Sequence, residues 1–187
     1  MRIYFFISAM AVLLWNCTDY TNSSITQRKA NYPSKKYTHV ALDTSQLAYQ
    51  EKVYVPAYSD IYNFSGEKTI YLTITLSVRN TSFKDSLFVN DIKYYGSDGK
   101  ILRHYLDSSL VLHPMESVEF VIEHNETQGG AGANFVVDWG THQPQLNHPV
   151  IQAVMISTIS QQGISFVTHG VVIEKNHKIK EEKASLE

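Results

Sequence analysis

In "KTIYLTITLSVRN", residues 68–80, Ile70, Leu72, Ile74, Leu76 and Val78 occupy every second position, with Tyr71, Thr73, Thr75, Ser77 and Arg79 between them. Successive side chains of a strand point to opposite faces, so this order makes one oily face and one wet face. A helix would scatter the same aliphatics around its circumference, and the Thr and Val content also suits a pleated surface. The segment is therefore committed to a sheet that rests one face on a core.

Other segments repeat the period. "LFVNDIKYY" and "KILRHYL" flank Gly96-Ser97-Asp98-Gly99, whose Asp-Gly pair supplies the positive φ of a hairpin turn. Leu87 and Val89 are out of phase with Ile92, which puts a bulge or bend at Asn90-Asp91. "LVLHPMESVEFVIEH" sets Val118, Phe120 and Ile122 on one face after a break at Pro114, and "NFVVDW" does likewise with Phe135, Val137 and Trp139. "VIQAVMIST" and "GISFVTHGVVI" surround a Gln162-Gly163 turn, and "KVYVPAY" opens the set with Pro56, whose missing donor assigns it to a sheet edge or a bulge. About eight short strands, with no convincing amphipathic helix among them, predict an all-β fold. The first expectation is an antiparallel β-sandwich of immunoglobulin-like type, and the alternative is a small β-barrel. The chain has one cysteine, so the paired-cysteine pin of antibody domains is absent and packing rests on aromatic and aliphatic faces.

That cysteine closes a different pattern. Met1-Arg2 is followed by Ile3 to Leu14, interrupted only by Ser8, which matches the charged start and the ~7–15-residue apolar stretch of an export signal. A spanning helix needs about 20 apolar residues. Bacterial lipoprotein signals place the acylated cysteine just after such a run, and Cys17 stands there, although Trp15 and Asn16 are bulkier than the usual small residues. The alternative is an ordinary signal or an uncleaved tether, with Cys17 a bystander thiol. The expected organisation is a signal peptide over 1–16, lipidated Cys17 with a flexible linker over 17–50, a β-sandwich domain over 51–173, and a charged, solvated tail over 174–187. A linker of that length has a root-mean-square span of roughly 30 Å, enough to hold a domain clear of a bilayer.

With 187 residues, 43% of them hydrophobic, the chain has material for one core. Lys+Arg number 16 against 18 Asp+Glu; loss of residues 1–16 removes one arginine and leaves −3. There is no basic field to attract nucleic acid.

Candidate chemistry is sparse. "ETQGGAGANF" concentrates Gly129, Gly130 and Gly132, but it leads into a strand, whereas phosphate-cradling loops open a helix or carry Gly-Lys-Ser/Thr. It reads as a loop that lets the chain pass close to its neighbours. None of the eight histidines has a recognised ligand spacing; convergence of His124, His142 and His148 is the one metal arrangement worth testing. Asp138, Ser165 and His169 are the residue types of a hydrolytic triad without its Gly-x-Ser-x-Gly elbow. Glu119 and Glu123 face outward by the alternation around them. "VYVPAYSDIYNF" brings Tyr54, Tyr58, Tyr62 and Phe64 near a sheet edge, either as core filling or as a recognition surface.

"VYVPAYSDIY", "LTITLSVRNTS", "VNDIKYYGSDGKILRHYL", "LHPMESVEFVIE", "GGAGANFVVDW" and "AVMISTISQQGISFVTHG", in that order, resemble a small bacterial lipoprotein family classed as domain of unknown function three thousand one hundred and twenty-four, across residues 52–173. The resemblance implies an exported bacterial protein and carries over no activity, ligand or catalytic residue. It singles out Asp98, Gly99, Gly130, Gly132, Asn134, Gln162, Gly163 and Ser165, which also fit turn chemistry. The reading is an envelope lipoprotein, lipid-anchored and exported, acting as a non-catalytic binding or structural module. Its candidate ligand- or partner-binding residues are Tyr58, Tyr62, Asp98, Gly130, Gly132, Asn134, Gln162 and Ser165. Its expected partners are the membrane through the lipid and an envelope protein or small ligand, with no cofactor and no metal. The alternative is a metal-binding carrier or hydrolase built on loops 124–148 and 160–169.

Overall fold

The computed structural model describes residues 37–143, 147–158 and 163–177. Thirteen strands run through them: β1 (His39–Val40), β2 (Tyr49–Pro56), β3 (Asp60–Asn63), β4 (Ser65–Tyr71), β5 (Thr73–Arg79), β6 (Leu87–Tyr95), β7 (Ile101–His104), β8 (Ser109–Leu112), β9 (Ser117–Ile122), β10 (Asn134–Thr141), β11 (Val150–Ser157), β12 (Ile164–His169) and β13 (Val171–His177). One sheet has the order β1-β8-β6-β10-β2-β13, with β7 also paired to β6; a second has the order β12-β11-β5-β9; β3 and β4 form a separate hairpin. Every pairing is antiparallel. The molecule is a β-sandwich, and its sheets do not close into the alternative barrel.

The alternation read in residues 68–80 produces the inner face of the smaller sheet. Leu72, Ile74, Leu76 and Val78 are fully buried, and β9 and β11 add Val118, Ile122, Ile151, Ala153 and Met155. Opposite them stand Val53 and Val55 from β2, Val89, Ile92 and Tyr94 from β6, and Phe135, Val137 and Trp139 from β10. Each large side chain removed from water in this way contributes about 1.5–3 kcal/mol before chain entropy is subtracted. Glu119 is exposed, as its parity demands.

Several expectations are refined. The run 68–80 is two strands: the chain breaks at Leu72, whose N–H donates to the Ser59 carbonyl (2.9 Å), so β4 turns away to pair with β3 while β5 enters the core sheet. Similarly, "GISFVTHGVVI" supplies β12 to one sheet and β13 to the other, with Gly170 at the crossing. The register of β6 on β10 shifts between Asp138 and Trp139, skipping Asn90, which is the bulge expected there. Pro56 lies in an interior strand but is its last residue, and β13 pairs with β2 only as far as Tyr54.

Both predicted domain boundaries fall inside folded structure. The expected linker contains β1, paired to β8, a short 3-10 turn over Thr44–Gln46, and the buried Leu47. The expected solvated tail begins as strand: Glu174, Lys175 and Asn176 lie opposite Lys52, Glu51 and Gln50. Charged residues join a strand when a neighbouring strand offers opposite charges across the ladder; Lys52 and Glu174 form such a pair. Cys17, the signal segment and Gln162 lie outside the described residues.

Candidate ligand-binding cleft

Three segments far apart in sequence meet beside the tight turn that joins β6 to β7. In that turn the Gly99 N–H donates to the Gly96 carbonyl (2.9 Å), and Gly99 takes a φ of 77°. Asp98 at its tip accepts from the Lys100 N–H (3.1 Å) and pairs with the Lys100 ammonium (2.7 Å), so its exposed carboxylate sets the turn. Ser97 clasps the glycine loop: its N–H and its hydroxyl both donate to the Gly129 carbonyl (2.8 Å each), and its Oγ accepts from the Gly132 N–H (2.8 Å). From the other side, the N–H and hydroxyl of Ser59 reach the Gly130 carbonyl (both 3.2 Å).

Room for side chains is the reason for glycine here. A Cβ on residue 129 would lie 2.0 Å from the Tyr94 hydroxyl oxygen, and one on residue 130, where φ is 72°, would lie 2.6 Å from Ser97 Oγ. The expected close-passing loop is what is present. Tyr94 itself is 2% exposed, its ring 4.9 Å from that of Phe135. Its hydroxyl makes no hydrogen bond of normal geometry among the described residues; the Ser59 hydroxyl beside it donates to Gly130 and can still accept. Burial pushes the Tyr94 phenol up to about 12, so it stays protonated.

A cavity of about 260 Å³ opens at this junction, lined by Tyr94, Leu102, Arg103 and the segment Asn125 to Gly129. Arg103 and Glu126 form an ion pair along its wall. The guanidinium also lies over the Tyr105 ring, 5.5 Å from its centroid. The cleft thus combines one balanced charge pair with amides, a hydroxyl and a small apolar patch.

The other sequence candidates scatter. Gly130 and Gly132 belong to the clasp, Asp98 to the turn, and Asn134 begins β10 opposite Pro56 and Tyr95. Tyr58 is half-buried, edge-on to Phe166 at 5.7 Å, and packs on the core. Tyr62 is 65% exposed on the β3–β4 hairpin, near Phe64, which is 97% exposed at a φ of 59°. Ser165 is exposed on β12, in the sheet opposite that of Asp138. Among the described residues no three His, Cys, Asp or Glu side chains gather as a metal site; His124 lies in a small cavity with Tyr71 and Thr73, His142 packs on Phe88, and His148 on Glu51. Asn80, the first residue of a sequon, is buried and donates to the carbonyls of Asp85, Leu112 and His113.

Sequence reading missed a second cluster. Glu51, 2% exposed, points into the end of the sandwich, where its carboxylate accepts from the Tyr49 hydroxyl and contacts His148 Nδ1 (3.2 Å) and Lys175 Nζ (3.4 Å). The rings of Tyr49, Trp139 and His148 pack mutually at 5.7–5.9 Å over it. The signal was available: Glu51 shares the parity of Val53 and Val55, the core-facing positions of β2.

A family model described as Protein of unknown function (DUF3124) matches residues 50–173, about two thirds of the chain. The chain belongs to this family. No curated protein and no solved structure matches it significantly. The DUF3124 match spans the Ser97 turn, the glycine loop and the whole lining of the cleft, whereas Lys175 and β1 lie outside it. No helix among the described residues is long and apolar enough to cross a membrane.

Proposed function

We propose that this DUF3124 protein is an exported, lipid-anchored binding module that holds a small ligand in the cleft beneath its glycine loop. The observation that carries the binding role is the cleft itself: a preformed concavity with a few convergent polar groups, on a rigid sandwich, between two clasped loops. Binding sites favour loops that a scaffold holds still. The anchor rests on the apolar run that ends at Cys17. The Ser–His contacts among the described residues, His39 Nδ1 to Ser108 Oγ (3.0 Å) and His113 Nδ1 to Ser86 Oγ (3.5 Å), are exposed and lie outside the lining of the cleft, so binding without catalysis is the reading the cleft supports best.

Two measurements test it. Intact mass of the membrane-fraction protein is expected to show an acyl-modified Cys17 as N-terminal residue, and Cys17→Ser is expected to move the protein to the soluble fraction. An unmodified cysteine, with fractionation unchanged by Cys17→Ser, removes the anchor. For the cleft, Thr127→Trp, an exposed substitution that fills its mouth, is expected to abolish ligand binding while leaving the melting temperature unchanged; retained binding removes the cleft.

A further inference from the structure

The geometry points to a neutral, hydroxyl-rich ligand, the size of a single sugar ring, as the occupant of the glycine-loop cleft; this rests on the binding role proposed above. The first argument is charge. Arg103 and Glu126 are the charged groups of the lining, and they are bonded to each other. An anionic ligand would have to draw the guanidinium away and leave the carboxylate behind; a cationic ligand would do the reverse. The pair is part-exposed, so water would answer whichever group is left behind and the cost is modest; what counts is that the paired lining has no net charge to attract a charged ligand. A neutral ligand leaves the pair intact and uses its free edges.

The second argument is the balance of donors and acceptors. Guanidinium only donates and carboxylate only accepts, while Asn125, Thr127 and Gln128 each carry groups of both kinds. Donors and acceptors are therefore both present in a small lining, and a polyol, each of whose hydroxyls both gives and takes a hydrogen bond, suits that mixture. The third argument is size. At ~30 Å³ per water, 260 Å³ holds about nine waters. That is below the ~300–1,000 Å³ of sites for drug-sized molecules and suits one ring rather than a chain of rings. Leu102, partly exposed in the lining, supplies the apolar contact against which the C–H edge of such a ring can rest.

The test is saturation-transfer NMR on the full chain in detergent, with glucose and N-acetylglucosamine as neutral probes, succinate as the anionic probe and choline as the cationic probe. The expected result is transfer to the sugars that falls at least about tenfold in Thr127→Trp, with no such Thr127-dependent signal from succinate or choline. Glu126→Gln leaves Arg103 without its counter-charge and is expected to make succinate a ligand, a gain that a purely structural role for the pair would not produce. If succinate or choline binds the unaltered protein in a Thr127-sensitive way and the sugars do not, the cleft binds ligands and the neutral-ligand inference is overturned. If no probe gives a signal that Thr127→Trp removes, the binding role falls with it.

Discussion

A methyl group on residue 129 has no space while Tyr94 keeps its hydroxyl, because the two would sit 2.0 Å apart and the ring is held against Phe135. Gly129→Ala is therefore expected to cost about 1–3 kcal/mol in urea unfolding, the range for overpacking. Tyr94→Phe removes a buried hydroxyl whose neighbour is the Ser59 hydroxyl, with no hydrogen bond of normal geometry between them, so it is expected to change stability by less than about 1 kcal/mol. The double variant should then recover most of the Gly129→Ala loss; costs that simply add would show that the two atoms do not compete. The same hydroxyl gives a pH prediction. Folding raises this phenol from 10.0 to about 12, so between those values the folded state holds a proton that the unfolded chain releases. The stabilisation is complete below pH 10 and is lost as pH rises through the window, by roughly 2–3 kcal/mol. Tyr94→Phe should reduce that alkaline loss in melting temperature, Tyr49 and Tyr105 keeping their own raised phenols, and the difference in ultraviolet phenolate absorbance between the two proteins follows the Tyr94 titration.

At the scale of single elements, β2 carries the account, with Glu51 buried on its inner face and β13 on its flank. Removing the charge by Glu51→Gln keeps a partner for Tyr49 and leaves the exposed His148 ring and Lys175 ammonium to water, so a loss of about 1 kcal/mol is expected. Removing His148 and Lys175 together leaves a buried carboxylate with the Tyr49 hydroxyl, and a larger loss is expected, about 2–3 kcal/mol. Chemical denaturation of the two variants orders them, and the reverse order would mean that Glu51 is not held as described. Ending the chain after Ile173, where the charges of Glu174 and Lys175 mark a tail in the sequence, should lower the melting temperature, because it strips the Lys52 and Glu51 partners from β2. The contrast with β5 explains what a sequence shows. The phase of Leu72 to Val78 is a local property, legible from thirteen letters. The strand character of Glu174 to His177 depends on charges some 120 positions earlier, and no local period announces it. Candidate residues behave alike: Asp98, Gly130 and Gly132 stand out because turns have local chemistry, whereas Tyr94, Arg103 and Glu126 become neighbours only once β6, β7 and the loop after β9 have assembled.

For the molecule as a whole, two sheets with a shared aliphatic and aromatic core make a rigid support, and the glycine-loop cleft lies at its rim rather than in that core. The polar outer face of the larger sheet is a separate feature, where Asp91, Lys93, Lys52, Asp138 and Glu174 line cavities of about 250 and 280 Å³. Asp138 there is desolvated, which raises its carboxyl above the usual range despite the Asn90 hydrogen bond. The folded state consequently binds this proton more tightly than the unfolded chain, and its penalty grows as pH rises past the ordinary aspartate value. Asp138→Asn is expected to raise the melting temperature at neutral pH and to lose that advantage in acid. The claim on which the functional account stands is that ligand meets the protein at the glycine loop and not on this charged face. Amide chemical-shift mapping of the isotope-labelled full chain, titrated with N-acetylglucosamine, tests it most directly. The account predicts shifts confined to Tyr94 through Arg103 and Asn125 through Gly132; shifts centred on Lys52, Lys93 and Asp138, or none at all, would contradict it.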